Sequence, residues 1–121
     1  MNIEEFRDYC LSLPGTTEET PFGPDTLVFK VGGKLFALTD LQTFASINVK
    51  CEPERAADLR ERYDYVVPGW HMNKKHWNTV FIGTGATYAQ LRDWITHSYQ
   101  LVVASLPRAQ RTALEEAMKE A

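Results

Sequence analysis

The chain has 121 residues, 44% of them hydrophobic and 24% charged, with a formal net charge of −3. That length suits one domain, residues 1–121, whose core needs neither disulfide nor metal support. The acidic balance excludes a protein coated with basic charge for tight nucleic-acid binding, and the absence of an apolar run of about 18 residues excludes a membrane span.

The polar, acidic start Met1-Asn2-Ile3-Glu4-Glu5-Phe6 does not read as a signal peptide. Cys10 and Cys51 lie far apart with no Cys-x-x-Cys spacing, so they read as reduced thiols of a cytoplasmic protein.

The first helix is expected over residues 2–13. Asn2 and Glu5 make a capping box, and Ile3, Phe6, Cys10 and Leu13 recur on one stripe. Pro14-Gly15 ends it. Residues 16–25 hold Gly23 and two prolines and read as a loop anchored in the core by Phe22. Leu27–Val31 and Lys34–Thr39 flank Gly32-Gly33, the pattern of a hairpin with a two-residue primed turn. A third strand runs from Phe44 to Lys50, with Ala45, Ile47 and Val49 facing inward and Ser46, Asn48 and Lys50 outward.

Glu52-Pro53-Glu54 opens a second helix. Ala56, Leu59 and Tyr63 face inward there, and Arg55, Asp58, Arg60, Glu61 and Arg62 form a solvated face. Pro68-Gly69 breaks regular structure. A second hairpin is expected beyond it: a strand near Trp70 to Met72, a turn over Asn73 to Lys75, and a strand from Trp77 to Ile82. Thr87 and Gln90 cap a third helix over 87–104 that buries Leu91, Trp94, Ile95, Ser98 and Val102, and Pro107 opens a terminal helix. The order α-β-β-β-α-β-β-α-α describes an α+β domain of two layers, an antiparallel sheet of about five strands packed against helices.

The stretch Pro68–Thr79 is the functional lead. It holds two Trp, two His, two Lys and two Asn, and no Asp or Glu lies between Tyr65 and Arg92. Lys74 and Lys75 at a hairpin tip can reach phosphates, Asn73 and Asn78 can donate and accept, and His71, His76, Lys50 and Arg92 complete the candidate nucleic-acid contacts. Three or four phosphate contacts imply weak binding with a log–log salt slope of about −3. Beside this stands the plainer reading that Asn-Lys-Lys is an ordinary polar turn and that Trp70 and Trp77 serve the core.

No cofactor, metal or catalytic set is expected. His71 and His76 lack neighbouring ligands to complete a metal site, and neither Cys51 nor Ser46 sits in a nucleophile motif. Gly83-Thr84-Gly85-Ala86 lacks the lysine of a phosphate-binding loop and reads as a strand-to-helix turn.

The chain resembles the MmcQ/YjbR family. The residues that carry the likeness are Pro21-Phe22-Gly23, Phe29 to Ala37, Lys50-Cys51, Pro53-Glu54, Leu59-Arg60, Pro68-Gly69, His71 to Thr79 and Ser98 to Val102. Trp70 departs from the tyrosine expected there. The resemblance implies a fold similar to the frataxin relative CyaY and to secretion-chaperone-like domains. It also implies a protein that binds double-stranded DNA, and the lack of a catalytic set makes a non-enzymatic role the expectation. The frataxin comparison draws attention to Glu4, Glu5, Asp8, Glu18 and Glu19 as loose cation ligands, although dipole compensation and solubility explain the same acids. The alternative is a chaperone-like module that binds a protein through the polar sheet face of Lys30, Ser46, Asn48 and Lys50.

Overall fold

A computed structural model describes residues 1–69 and 72–120. The described residues form helices α1 (Ile3–Ser12), α2 (Pro53–Arg62), α3 (Tyr88–Ala104) and α4 (Arg108–Glu120). The strands are β1 (Thr16–Glu19), β2 (Thr26–Val31), β3 (Lys34–Asp40), β4 (Ser46–Lys50), β5 (Val66–Pro68) and β6 (Trp77–Phe81). They make one antiparallel six-stranded sheet in the order β1-β2-β3-β4-β6-β5.

Local chemistry sets most boundaries as expected. Asn2 Oδ1 accepts from Glu5 N at 2.8 Å while Glu5 Oε1 accepts from Asn2 N at 3.0 Å, closing the α1 capping box. Thr87 and Gln90 do the same for α3. Gly32 and Gly33 have φ of 59° and 78°, the left-handed pair that a two-residue hairpin turn demands.

Alternation assigns the two faces of the sheet. Phe29, Val31, Ala37, Ile47, Val49, Val66 and Val80 turn inward, into one cluster with Phe6 and Cys10 of α1 and Leu91, Ile95, Tyr99 and Val102 of α3. A bulge between Phe29 and Lys30 puts Phe36 and Ala37 in the core together, and Phe36 meets Tyr99 edge-on with centroids 5.4 Å apart. Ser98 staples helix to sheet. Its Oγ donates to Phe36 O at 2.5 Å and accepts from Lys50 N at 2.8 Å, so α3 is tied to β3 and β4 at once.

Four expectations are corrected. Residues 16–19 form an edge strand rather than a loop. Thr-Thr-Glu-Glu carries no apolar alternation, and the pairing comes from β2, with Glu18 turned inward to meet Arg7 of α1 at 2.5 Å. Phe22 is 71% exposed and anchors nothing. β4 begins at Ser46, because Phe44 takes a left-handed φ of 43° in the preceding turn; its ring packs 5.6 Å from Phe6, while Ala45 stays exposed. The partner of β6 is Val66–Pro68, not a strand near Trp70 to Met72; Trp70 lies outside the described residues and Met72 is in a bend.

Among the described residues, all four helices pack on the inner face. The outer face carries a row formed by Glu19, Val28, Leu38, Asn48, Thr79 and Val67, each paired with the next across the sheet.

Candidate nucleic-acid interface

The chain between β5 and β6 returns at one end of the sheet, the end that also holds Lys50 and the Gly32-Gly33 turn. Gly69 N donates to Trp77 O at 2.9 Å. A Cβ on Gly69 would lie 2.7 Å from Trp77 Cβ, so the close approach requires glycine. Asn73 then closes the turn: its Oδ1 accepts from Lys75 N at 2.9 Å, and its carbonyl accepts from His76 N and Trp77 N at 3.1 and 3.0 Å. His76 O accepts from Cys51 N at 2.8 Å, which fastens the turn to the end of β4.

Arg60 is the organising residue, and the sequence reading that put it on a solvated face is corrected here. From α2 its Nε donates to Asn78 Oδ1 at 2.6 Å, and one terminal nitrogen donates to Trp77 O at 3.1 Å and to Lys74 O. A planar, permanently charged fork can hold three acceptors at fixed angles, which an ammonium cannot. Helical periodicity gave no sign of this, because the acceptors lie in the turn and at the start of β6, more than ten residues away.

The candidate contacts separate into three groups. Asn73, Lys74 and Lys75 are exposed at the turn, and among the described residues neither lysine forms an ion pair. Lys50 lies half-buried at the same end, on the outer face opposite Trp77. His76 is half-buried and serves the turn through its backbone.

Asn78 and Arg92 stand apart from that surface. Asn78 is buried on the inner face, where its amide also donates to Ala56 O at 3.4 Å. Arg92 lies on α3, six residues or about 9 Å before Ser98 along the helix axis. Its guanidinium sits 4.9 Å from the Tyr9 ring centroid and 5.8 Å from that of Tyr88, over α1 rather than beside the turn. His71 lies outside the described residues. Trp77 is only 8% exposed, which fits a packing role better than a stacking platform.

Below the turn, Cys51, Leu59, Asn78, Trp94 and His97 help line a void of about 10 Å³, room for one water. His97 Nε2 is buried with no hydrogen-bond partner among the described residues. Burial, and then the Arg55 charge, pull the His97 pKa below its ordinary value; Glu52 and Asp93 oppose this less strongly. Burial also pushes the Cys51 thiol up, and the Cys10 thiol further, so both are held protonated.

Among the described residues, no group of three or more His, Cys, Asp or Glu side chains is placed to hold a metal ion. Of the acids singled out for loose cation binding, Glu18 is committed to Arg7 and Glu19 to Lys30, the latter at 3.3 Å. Among the described residues, no helix is long and apolar enough to cross a membrane.

Comparison with known proteins places this arrangement. Uncharacterized protein YbdF of Escherichia coli O157:H7 is 41% identical over 106 residues, covering 87% of both chains. Uncharacterized protein YjbR of Escherichia coli K12 is 31% identical over 115 residues, covering 94% of this chain and 98% of its own. The crystal structure of Deinococcus radiodurans protein DR2400, assigned to the domain family DUF419, superposes with a TM-score of 0.87 at 36% identity, covering 94% of this chain and 88% of its own. A Pseudomonas syringae protein superposes with a TM-score of 0.72 at 29% identity, covering 84% of this chain and 98% of its own. The YjbR family model matches residues 11–101, and the chain belongs to the YjbR family.

Proposed function

We propose that this protein is a non-catalytic binding module that contacts the phosphate backbone of double-stranded DNA through the Asn73–His76 turn. The observation that carries the reading is the pairing of a rigid turn with uncommitted charge. Arg60 and the Asn73 side chain fix the backbone, while Lys74 and Lys75 are exposed and form no ion pair among the described residues. Holding the turn in place lowers the ordering cost of each phosphate contact.

With Asn78 and Arg92 placed elsewhere, Lys50, Lys74 and Lys75 remain as the phosphate contacts. Three contacts correspond to non-specific affinity in the range of about 10⁻⁴ to 10⁻⁶ M at physiological salt. The protonated state of the Cys10 and Cys51 thiols favours a binding role over thiol catalysis, and free thiols suit a cytoplasmic setting.

The test is duplex binding by the wild type and by Lys74→Ala/Lys75→Ala at low salt. A loss of about tenfold or more in the double variant is expected, since two of three charge contacts are removed. Unchanged affinity in a folded double variant would sink the reading.

A further inference from the structure

Between α1 and α3 lies an open cleft of about 300 Å³, lined by Tyr9 of α1 and by Ala89, Arg92, Asp93 and Thr96 of α3. We infer that it is a binding site for a small organic monocarboxylate, anchored by the Arg92 guanidinium. The inference does not rest on the DNA reading and uses no residue of the Asn73–His76 turn.

The cleft follows from spacing on α3. Ala89, Arg92, Asp93 and Thr96 stand at i, i+3, i+4 and i+7, so they share one face of the helix. Leu91, Trp94, Ile95 and Ser98 take the opposite face and are buried against the sheet. Ala89 is the shortest side chain of the outer stripe and leaves room beside Arg92.

The distribution of charge singles out Arg92. Arg7, Arg55, Arg62 and Arg111 each meet a carboxylate, and Arg60 is committed to Asn78 and two carbonyls. Arg92 is exposed and forms no ion pair among the described residues. It is nevertheless held in place. Its guanidinium lies 4.9 Å from the Tyr9 ring centroid and 5.8 Å from that of Tyr88. Ring contacts of this kind position the cation and leave N–H donors of its fork for an oxyanion. Tyr9 is itself fixed, because its Oη is hydrogen-bonded to Thr96 Oγ1. A donor positioned in advance lowers the ordering cost of binding.

The other groups of the cleft define the ligand. Two hydroxyls bonded to each other use one of their two hydrogens, so either Tyr9 or Thr96 keeps a hydrogen for a ligand oxygen. A planar fork and a hydroxyl donor together match a carboxylate. Asp93 lines the same cleft, and its charge is balanced by Arg55 at 3.0 Å. The net charge offered to a ligand is therefore the single positive charge of Arg92, and a dianion would be opposed by Asp93. A carboxylate alone does not fill about 300 Å³, a volume at the lower end of small-molecule sites. The remaining space, beside Ala89 and Tyr9, takes a short apolar body.

Benzoate is the probe, titrated into the full chain at low salt and followed by amide NMR. Saturable shifts should centre on Tyr9, Arg92 and Thr96, with a Kd of about 1 mM or weaker, the scale for a probe of this size. Arg92→Gln should weaken binding about tenfold or more, as expected for one charged hydrogen-bonding partner, and Arg92→Lys should recover only part of it. Lys74→Ala/Lys75→Ala and Arg108→Gln should bind benzoate as the wild type does. Circular dichroism confirms that each variant is folded. The inference is overturned by a wild type without saturable shifts up to about 20 mM benzoate. It is overturned equally by a folded Arg92→Gln that binds normally, by an Arg108→Gln that loses as much, or by inorganic phosphate binding more tightly than benzoate.

Discussion

Arg60 and Asn78 are joined by a 2.6 Å hydrogen bond that runs from the half-buried guanidinium on α2 to a buried amide on β6. The same guanidinium reaches the Lys74 and Trp77 carbonyls, so one side chain holds helix, strand and turn together. Removing Arg60 leaves a buried amide oxygen without its charged donor. Arg60→Ala should cost about 2–3 kcal/mol in urea unfolding. Asn78→Ala should cost a similar amount, with the double variant less destabilised than the sum by about 1 kcal/mol or more. Simple additivity would mean that the two residues act separately.

Ser98→Ala should destabilise by about 2 kcal/mol, more than the loss of one small hydroxyl suggests. The buried Oγ serves two backbone partners, Phe36 O and Lys50 N, and alanine strands both. Hydrogen exchange should show the Lys50 amide deprotected beyond the global change.

The two glycines of the β2–β3 turn should differ in their tolerance of alanine. A Cβ on Gly32 would lie 2.6 Å from both Leu106 methyl carbons, whereas one on Gly33 meets nothing within 4 Å. Both carry positive φ, so each substitution costs about 1–2 kcal/mol for left-handed backbone. Gly32→Ala adds a clash with the α3–α4 connection and should lower the urea midpoint clearly more than Gly33→Ala. Equal losses would show that Leu106 simply moves aside.

His97 should make the fold acid-sensitive. Its folded pKa lies below the ordinary value, so the unfolded chain takes up the proton first as pH falls. Stability from this group is fully present above about pH 6.5 and is lost as pH drops through the depressed folded pKa. The urea midpoint measured from pH 8 down to pH 5 should fall below about pH 6.5, and His97→Gln should flatten that part of the profile. A profile that His97→Gln leaves unchanged would assign the slope to other groups.

DNA affinity should fall with salt at a log–log slope of about −2.7, the value for three phosphate contacts. Lys74→Ala/Lys75→Ala should bring the slope to about −0.9, whereas Arg92→Ala should leave it unchanged. A slope that responds to Arg92 would move the interface to the α1–α3 side.

Local signals carried much of this structure. The capping boxes at Asn2 and Thr87, the Gly32-Gly33 turn, the inward stripe of α3 and the alternation along β4 each depend on residues within a few positions of one another, so they were legible in the sequence. Family membership was legible for a related reason: the residues from His71 to Thr79 form one dense, ordered string. What tertiary structure alone decided depends on partners far away in the chain. Thr16–Glu19 becomes a strand because β2 offers an edge, Phe22 stays in solvent on the turn between β1 and β2, and Arg60 turns from a surface charge into the anchor of a turn. The acid-free stretch therefore divides. Trp77, Asn78 and Thr79 are taken up by packing and hydrogen bonding, and Lys74 and Lys75 are held out from a backbone that Arg60 has made rigid. Composition places the positive charge in that stretch, and long-range hydrogen bonds determine which of it faces solvent.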